Sequence, residues 1–465
     1  MKPISRCNRR DFLRTSTLGA AAVASGLPTI IPSSAVGADG AVAPSNRIVV
    51  GGIGLGPQGQ GVMSNFLGQK DCQVVAVCEL KEDQLNAARK QVNDRYQNQD
   101  CKTYGDFREV VARPDIDACL IATPDHWHVL TGLAAVNAGK DIYLEKPLAL
   151  TLAEGQVLRR AVQEKKRIFQ FGTQQRSGRM FWLACELVRN GLIGKLQHIN
   201  VWAPGSTPGG STKEVPVPAG LNYDFWLGQA PFKPYTENRC SADGNKKTWW
   251  FNSDYAIGFL SGWGVHPLDI ALWGAGDLAG GVIEVDGHAN IPTEGACNTA
   301  TVWEVGMRFG SGVTMTFVGL PNGGNANQST GEPAYHFKEW RNRYRRIETH
   351  GTAFEGTEGW VHIDRAGINV SKDSLLDTPE SAFTTKLIKS GNHVRNFLDS
   401  IKSRQPTVCP VEEAVKVDAL CHVSDAATRL KRQLKYDSER EQFIGDDEAN
   451  RRLQARAMRA PWKLV

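Results

Sequence analysis

The 465-residue sequence contains no CxxC pair, and its ten cysteines are scattered: Cys7 lies near the start and the other nine fall at irregular spacing. That pattern excludes a zinc ribbon and argues against a disulfide framework. Strong charge of either sign is also missing. The formal net charge is +5, but Lys2, Arg6, Arg9, Arg10 and Arg14 against Asp11 account for most of it, and roughly +1 is left, so no nucleic-acid partner is implied. Beyond residue 40 no run is apolar enough to span a bilayer. What is present is ordinary for a folded protein: 41% hydrophobic and 22% charged residues, over a length that suffices for two domains.

Residues 1–40 read as an address. Arg9-Arg10 is followed by Phe12-Leu13, then an apolar run over 18–31 containing Gly26 and Pro28, then small residues from Ala35. This resembles a twin-arginine signal peptide, which implies passage through the Tat translocase, an exported or periplasmic protein, and no stable membrane span in the mature form. Because that route moves folded proteins, it suits a chain that takes up its cofactor before leaving and keeps buried free thiols.

From residue 47 a βαβ pattern begins. An apolar run over 47–53 feeds Gly54-x-Gly56-x-x-Gly59, a helix-like stretch follows over 59–67, and a second apolar run over 72–78 ends at Glu79. Such an order suits a dinucleotide: Gly54 permits the turn, Gly56 lets the backbone approach a pyrophosphate, and Gly59 lets the helix pack against the strand. The helix start offers unpaired N–H groups to the phosphates. Glu79, twenty residues on, accepts from the ribose hydroxyls and favours NAD over NADP, with Lys81 keeping NADP open. A polar helix over 82–95, a strand over 118–122, a helix over 129–138 and a strand over 141–144 continue the alternation. Ligands of such sheets bind beyond the strand ends, where Thr123, Pro124, His126 and His128 stand in one segment and Glu145-Lys146-Pro147 in the other. His126 and His128 lack a third ligand at metal spacing, so no metal is expected and they border the nicotinamide instead.

The segments "GLGPQG", "ATPDHWHV", "AGKDIYLEKPLALT", "GTQQRSGR", "LNYDFWLG" and "GWGVHPLDIALW", with the ending "FIGDDEANRRL" and "RAPW", together resemble the Gfo/Idh/MocA oxidoreductases over essentially everything after residue 47. The resemblance implies an α/β fold: an N-terminal Rossmann doubly wound parallel sheet over 45–170, then a C-terminal α+β domain over 171–390 with a large, mostly antiparallel open sheet for substrate and oligomer contacts. Strand-like runs over 281–289, 300–309 and 312–318 agree. Residues 391–465 read as a helical segment and tail, with helices over 392–400 and 411–434.

In that family the lysine of the EKP motif lies near nicotinamide and substrate oxygen, and the histidine of GxHxxD acts with it as acid and base. Carried over, these are Lys146 and His266, with Asp269 three residues on as orienter or substrate contact. Glu145 either touches the nicotinamide side or orients Lys146, and Pro147 fixes the turn, with a cis Lys146–Pro147 bond open. Gln174 falls on the cofactor side, and Gln175, Arg176, Trp182, Tyr223 and Trp226 are groups of the kind that bind sugars. One departure stands out: relatives carry an acid four residues before the histidine, and here that position is Gly262, a gap for Asp269, Tyr255 or Asp254 to fill. The expected function is hydride transfer between tightly held NAD or NADP and a hydroxyl-bearing carbon of a sugar or polyol, in a homo-oligomer. The alternatives are NAD-dependent glycoside cleavage through transient oxidation, and sugar binding without catalysis.

Overall fold

The computed structural model describes residues 42–241, 249–321 and 332–464, in two units, Met1–Arg47 and Ile48–Val465. The signal-like segment lies outside the described residues. Of the first unit a single 3-10 turn, Pro44–Asn46, is described, with the Arg47 Nε donating to the Val42 carbonyl at 2.9 Å.

In the second unit, β1 (Ile48–Ile53), β2 (Cys72–Cys78), β3 (Lys102–Tyr104), β4 (Ala118–Ile121), β5 (Asp141–Leu144) and β6 (Phe169–Phe171) form a parallel sheet in the order β3-β2-β1-β4-β5-β6. Every residue of β4, β5 and β6 is buried. Helices cover both faces of such a sheet, so its strands read as unbroken apolar runs. The order reverses between β1 and β4, and the crevice above that point is where the glycine-rich turn emerges. The helix Asp125–Asn137 begins earlier than its apolar pattern suggests, which puts Asp125, His126 and His128 on its first turn.

The second sheet has nine strands in the order β13-β12-β11-β7-β10-β9-β8-β14-β15. They are β7 (Leu196–Pro204), β8 (Val282–Asn290), β9 (Val302–Phe309), β10 (Thr314–Leu320), β11 (Gly351–Gly356), β12 (Trp360–Asp364), β13 (Gly367–Val370), β14 (Leu434–Asp437) and β15 (Gln442–Phe443). Among the described residues β7 with β10 is the parallel pair, and the other neighbours run antiparallel. Burial alternates along β9, the mark of a sheet packed on one face.

The C-terminal residues serve both sheets. The helix His393–Ser403 lies on the first, where Phe397 meets the rings of Phe66 and Tyr143 edge-on. The long helix ends at Leu430 rather than running to 434. Lys431 adopts a left-handed φ of 53°, which stops the helix, and the chain turns into β14 beside β8. The final residues fold back, and the Trp462 ring stands edge-on to Trp127 at 4.7 Å and to Phe225 at 5.3 Å.

All nine described cysteines are buried. Burial pushes the Cys101 thiol up to about 11 and Cys72 up to about 12. Among the described residues no helix is long and apolar enough to cross a membrane.

Candidate active site

A cavity of about 770 Å³ opens above the strand ends of the first sheet and reaches the helices that precede the second. Its floor is the glycine-rich turn. Gly54 has φ +77°, and a Cβ there would stand 2.4 Å from the Thr123 nitrogen; one at Gly59 would stand 2.2 Å from the Gly54 oxygen. Both positions therefore require glycine. A Cβ at Gly56 would meet nothing nearer than the Gln84 side chain at 3.6 Å, so the backbone there stays approachable from the cavity. Pro57 starts the helix Pro57–Leu67, whose first N–H groups face the same space.

Glu79 lines this end. Its carboxylate accepts from the backbone N–H of Leu55 at 2.8 Å, Leu80 at 2.7 Å and Lys81 at 3.1 Å. Burial pushes its pKa up, and those three donors with the Lys81 charge work against that push. The carboxylate thus ties the glycine turn to the end of β2 and keeps acceptor capacity toward the cavity. The Lys81 ammonium donates to the Cys240 carbonyl, and main-chain bonds from Glu82 to Gly220 (2.9 Å) and from Asn222 to Leu80 (3.2 Å) bring the 205–241 segment down over this end.

At the other end, β5 runs into Glu145, Lys146 and a cis peptide to Pro147. The Lys146 Nζ donates to the Gly262 carbonyl at 3.2 Å, which uses one of its three protons and leaves two for a ligand. Glu145 is buried and accepts from the Gln174 amide at 2.6 Å. Burial pushes its pKa up and the charge of Lys146 opposes this. The His128 ring lies between the Pro147 carbonyl (2.6 Å) and the Thr123 carbonyl (2.8 Å) at the ends of β5 and β4. Burial pulls its pKa down to about 4 against the pull of those two carbonyls, and as a neutral ring at pH 7 it carries one N–H and donates to one of them.

His266 enters from the helix Val265–Ala275 and lines the cavity beside Lys146 and Trp263. It is buried, its Nδ1 has no hydrogen-bond partner, and burial together with the charges of Lys146 and Arg365 holds its pKa well below 6.5. A neutral imidazole next to an ammonium is a competent proton acceptor.

Gly54, Gly56, Gly59, Glu79, Thr123, Pro124, His128, Glu145, Lys146, Gln174 and His266 all line this cavity. Asp269 and His126 do not. The Asp269 carboxylate, one turn on from His266, is held in a fork with Arg176, at 2.6 to 3.0 Å, both side chains being buried. A buried guanidinium claims the nearest acid, so Asp269 neither orients His266 nor reaches a substrate, and Arg176 is likewise removed from the sugar-binding set. The His126 ring contacts the Trp226 carbonyl at 3.0 Å behind the cavity wall. Trp182 packs against Phe383, and the Tyr255 hydroxyl is taken by Arg239 at 3.0 Å. At the position of the missing acid, a Cβ at Gly262 would meet, among the described residues, the Phe259 ring alone within 4 Å, at 3.5 Å.

Several lining residues carried no sequence signal. Phe259, Trp249, Trp250 and Trp263 form an aromatic wall, and Arg365 faces the cavity from the turn after β12. His350 stands beside Trp263, with ring centroids 5.1 Å apart. Trp263 stands directly before the GxHxxD motif, and the others sit in no motif with a spacing rule.

Two family models match the chain. The Gfo/Idh/MocA oxidoreductase NAD-binding Rossmann fold covers residues 47–173, and the C-terminal α/β domain of the same family covers 202–350 and 372–464. The chain belongs to the Gfo/Idh/MocA oxidoreductase family. Curated relatives include a glycosyl hydrolase family 109 protein of Shewanella pealeana, 28% identical over 206 residues, or 42% of this chain and 45% of the relative. An alpha-N-acetylgalactosaminidase of Shewanella oneidensis is 29% identical over 41% of this chain and 44% of its own length. The matched region thus spans less than half of these relatives. Among solved structures, the WlbA dehydrogenase of Bordetella pertussis in complex with NADH and UDP-GlcNAcA superposes with a TM-score of 0.59 at 14% identity, covering 83% of this chain and 98% of that one. The aldose-aldose oxidoreductase of Caulobacter crescentus has a TM-score of 0.59 at 17% identity, covering 84% and 99%. At these identities the likeness is one of fold.

Proposed function

We propose that the protein moves hydride between a nicotinamide cofactor and a hydroxyl-bearing carbon of a sugar, polyol or sugar derivative. The observation that carries this is the convergence of Lys146 and a neutral, cavity-facing His266 at the far end of a space whose near end is a dinucleotide turn. A nicotinamide bound there supplies the hydride acceptor. The chain's own part is to take the hydroxyl proton on His266 while the C–H electron pair leaves as hydride, and to stabilise the developing alkoxide with the free protons of Lys146. NAD is favoured over NADP, because Glu79 stands at the ribose end and Lys81 is engaged by the Cys240 carbonyl. The segment hydrogen-bonded over that end supports a cofactor that is held rather than exchanged. We further propose export through the twin-arginine route, on the strength of Arg9-Arg10 and the apolar run after it, and assembly as a homo-oligomer.

A held cofactor also supports a second reading, in which oxidation is transient and a glycosidic bond is cleaved with no net redox change. The curated relatives named as glycosyl hydrolases favour this. Purified protein incubated with a panel of free sugars and aryl glycosides decides between them. Absorbance of reduced cofactor rising with a free sugar supports the dehydrogenase reading. Release of the aryl alcohol at constant absorbance supports the other, and sugar binding with neither signal overturns both.

A further inference from the structure

Arg365 is the feature of this cavity that neither reading uses. It occupies the two-residue turn Arg365-Ala366 between β12 and β13, where Asp364 pairs with Gly367. The turn is held from within: the Asp364 Oδ1 accepts from the Ala366 and Gly367 N–H groups at 2.8 and 3.1 Å, and its Oδ2 from the Glu348 N–H at 3.0 Å. Both oxygens of the neighbouring acid are thus engaged away from Arg365. The guanidinium reaches over the Trp263 indole, 5.0 Å from the ring centre, and lines the cavity. Among the described residues no carboxylate pairs with it and no hydrogen bond engages it, although Arg365 is close enough to His266 and His350 for its charge to act on both.

A guanidinium placed over an indole ring without a hydrogen-bond partner keeps its N–H donors free, and their fork matches a planar carboxylate with two parallel hydrogen bonds. The phosphates of a dinucleotide belong at the Gly54–Gly59 turn, the opposite end from His266. We propose that Arg365 recognises a carboxylate carried by the sugar itself, so that the preferred substrate class is a uronic-acid-type sugar bound with its reacting hydroxyl at Lys146 and His266. This rests on the oxidoreductase reading for the orientation of the sugar, and on the Arg365 geometry alone for the charge.

The test is equilibrium titration of the full chain, saturated with NAD, using glucuronate, galacturonate and mannuronate beside glucose, galactose, mannose and galactose 6-sulfate. Wild type, Arg365→Ala and Arg365→Lys are compared, with reduced cofactor followed in parallel. A uronate is expected to bind about 10- to 100-fold tighter than its parent hexose. In Arg365→Ala the preference vanishes while hexose affinity and melting temperature hold, and in Arg365→Lys part of it survives. Equal binding of uronates and hexoses, absence of uronate binding, binding of the sulfate alone, or an Arg365→Ala protein that loses hexose and uronate affinity alike overturns the proposal. Arg365-dependent uronate binding with no reduced cofactor from any sugar sinks the oxidoreductase reading and leaves this one. Cofactor reduction by neutral sugars, with uronates bound no tighter than their parent hexoses in wild type, does the reverse.

Discussion

His266 is neutral where a surface histidine would be half-charged. Burial and two neighbouring cations lower its pKa, so the protonated form is reached only when pH falls well below 6.5. A base in its neutral form is active, and activity is lost as pH drops through the folded pKa. The acid limb of kcat/KM is therefore expected well below pH 6.5, with a flat profile from there to neutrality, and a limb centred near 6.5 would remove His266 from the proton-transfer role. His266→Gln is expected to lower kcat by about 10²- to 10⁴-fold while NAD binding, followed by fluorescence, is retained. Lys146 and His266 were legible in the sequence because each sits in a motif whose position in the fold is predictable. Asp269 was misread at the same scale. Its i, i+3 spacing from His266 tells which residues share a helix face, but not that a guanidinium 93 residues upstream in sequence takes up the carboxylate. Arg365 left no trace, since a hairpin-turn arginine has no spacing rule, and its importance comes from Trp263, about a hundred residues away in the chain.

Among elements, the helix Val265–Ala275 carries two different duties within one turn. His266 lines the cavity; Asp269 bolts the helix down through Arg176, to which the Val408 carbonyl adds a bond at 3.1 Å. Asp269→Asn leaves a buried guanidinium with only the half-buried Glu413 carboxylate, at 3.4 Å, as counter-charge and is expected to cost about 3–5 kcal/mol, read as a lowered urea midpoint. An unchanged midpoint would mean that the pair contributes little to holding the helix. The parallel strands and glycine turn were readable from apolar runs and punctuation. The C-terminal boundary was not, because Leu434 falls four residues after Leu430, at helical spacing, and what ends the helix is a left-handed Lys431 whose side chain gives no warning.

Across the molecule, the two sheets are joined by chain that doubles back. The last residues return to the cavity's outer wall, where the Arg459 Nε donates to the Gly228 carbonyl at 2.9 Å and Trp462 packs on Trp127 and Phe225, both of which line the cavity. Trp462→Ala is expected to lower stability by about 1–3 kcal/mol in urea unfolding and to speed loss of bound NAD during gel filtration. Full retention of NAD at reduced stability would confine the tail to a structural part. Nothing in the sequence announced this return, since contact between residues 231 or more positions apart leaves no local pattern.

The buried thiols have a practical consequence. With every described cysteine inside the fold, and burial keeping those thiols in the unreactive protonated form, the folded chain from residue 42 onward is close to silent toward maleimides and other alkylating labels. A single cysteine placed on the Arg365 hairpin, at Ala366, would then be a site-selective handle for a fluorophore, from which ligand arrival at the cavity mouth could be timed without first stripping the protein of its own sulfur.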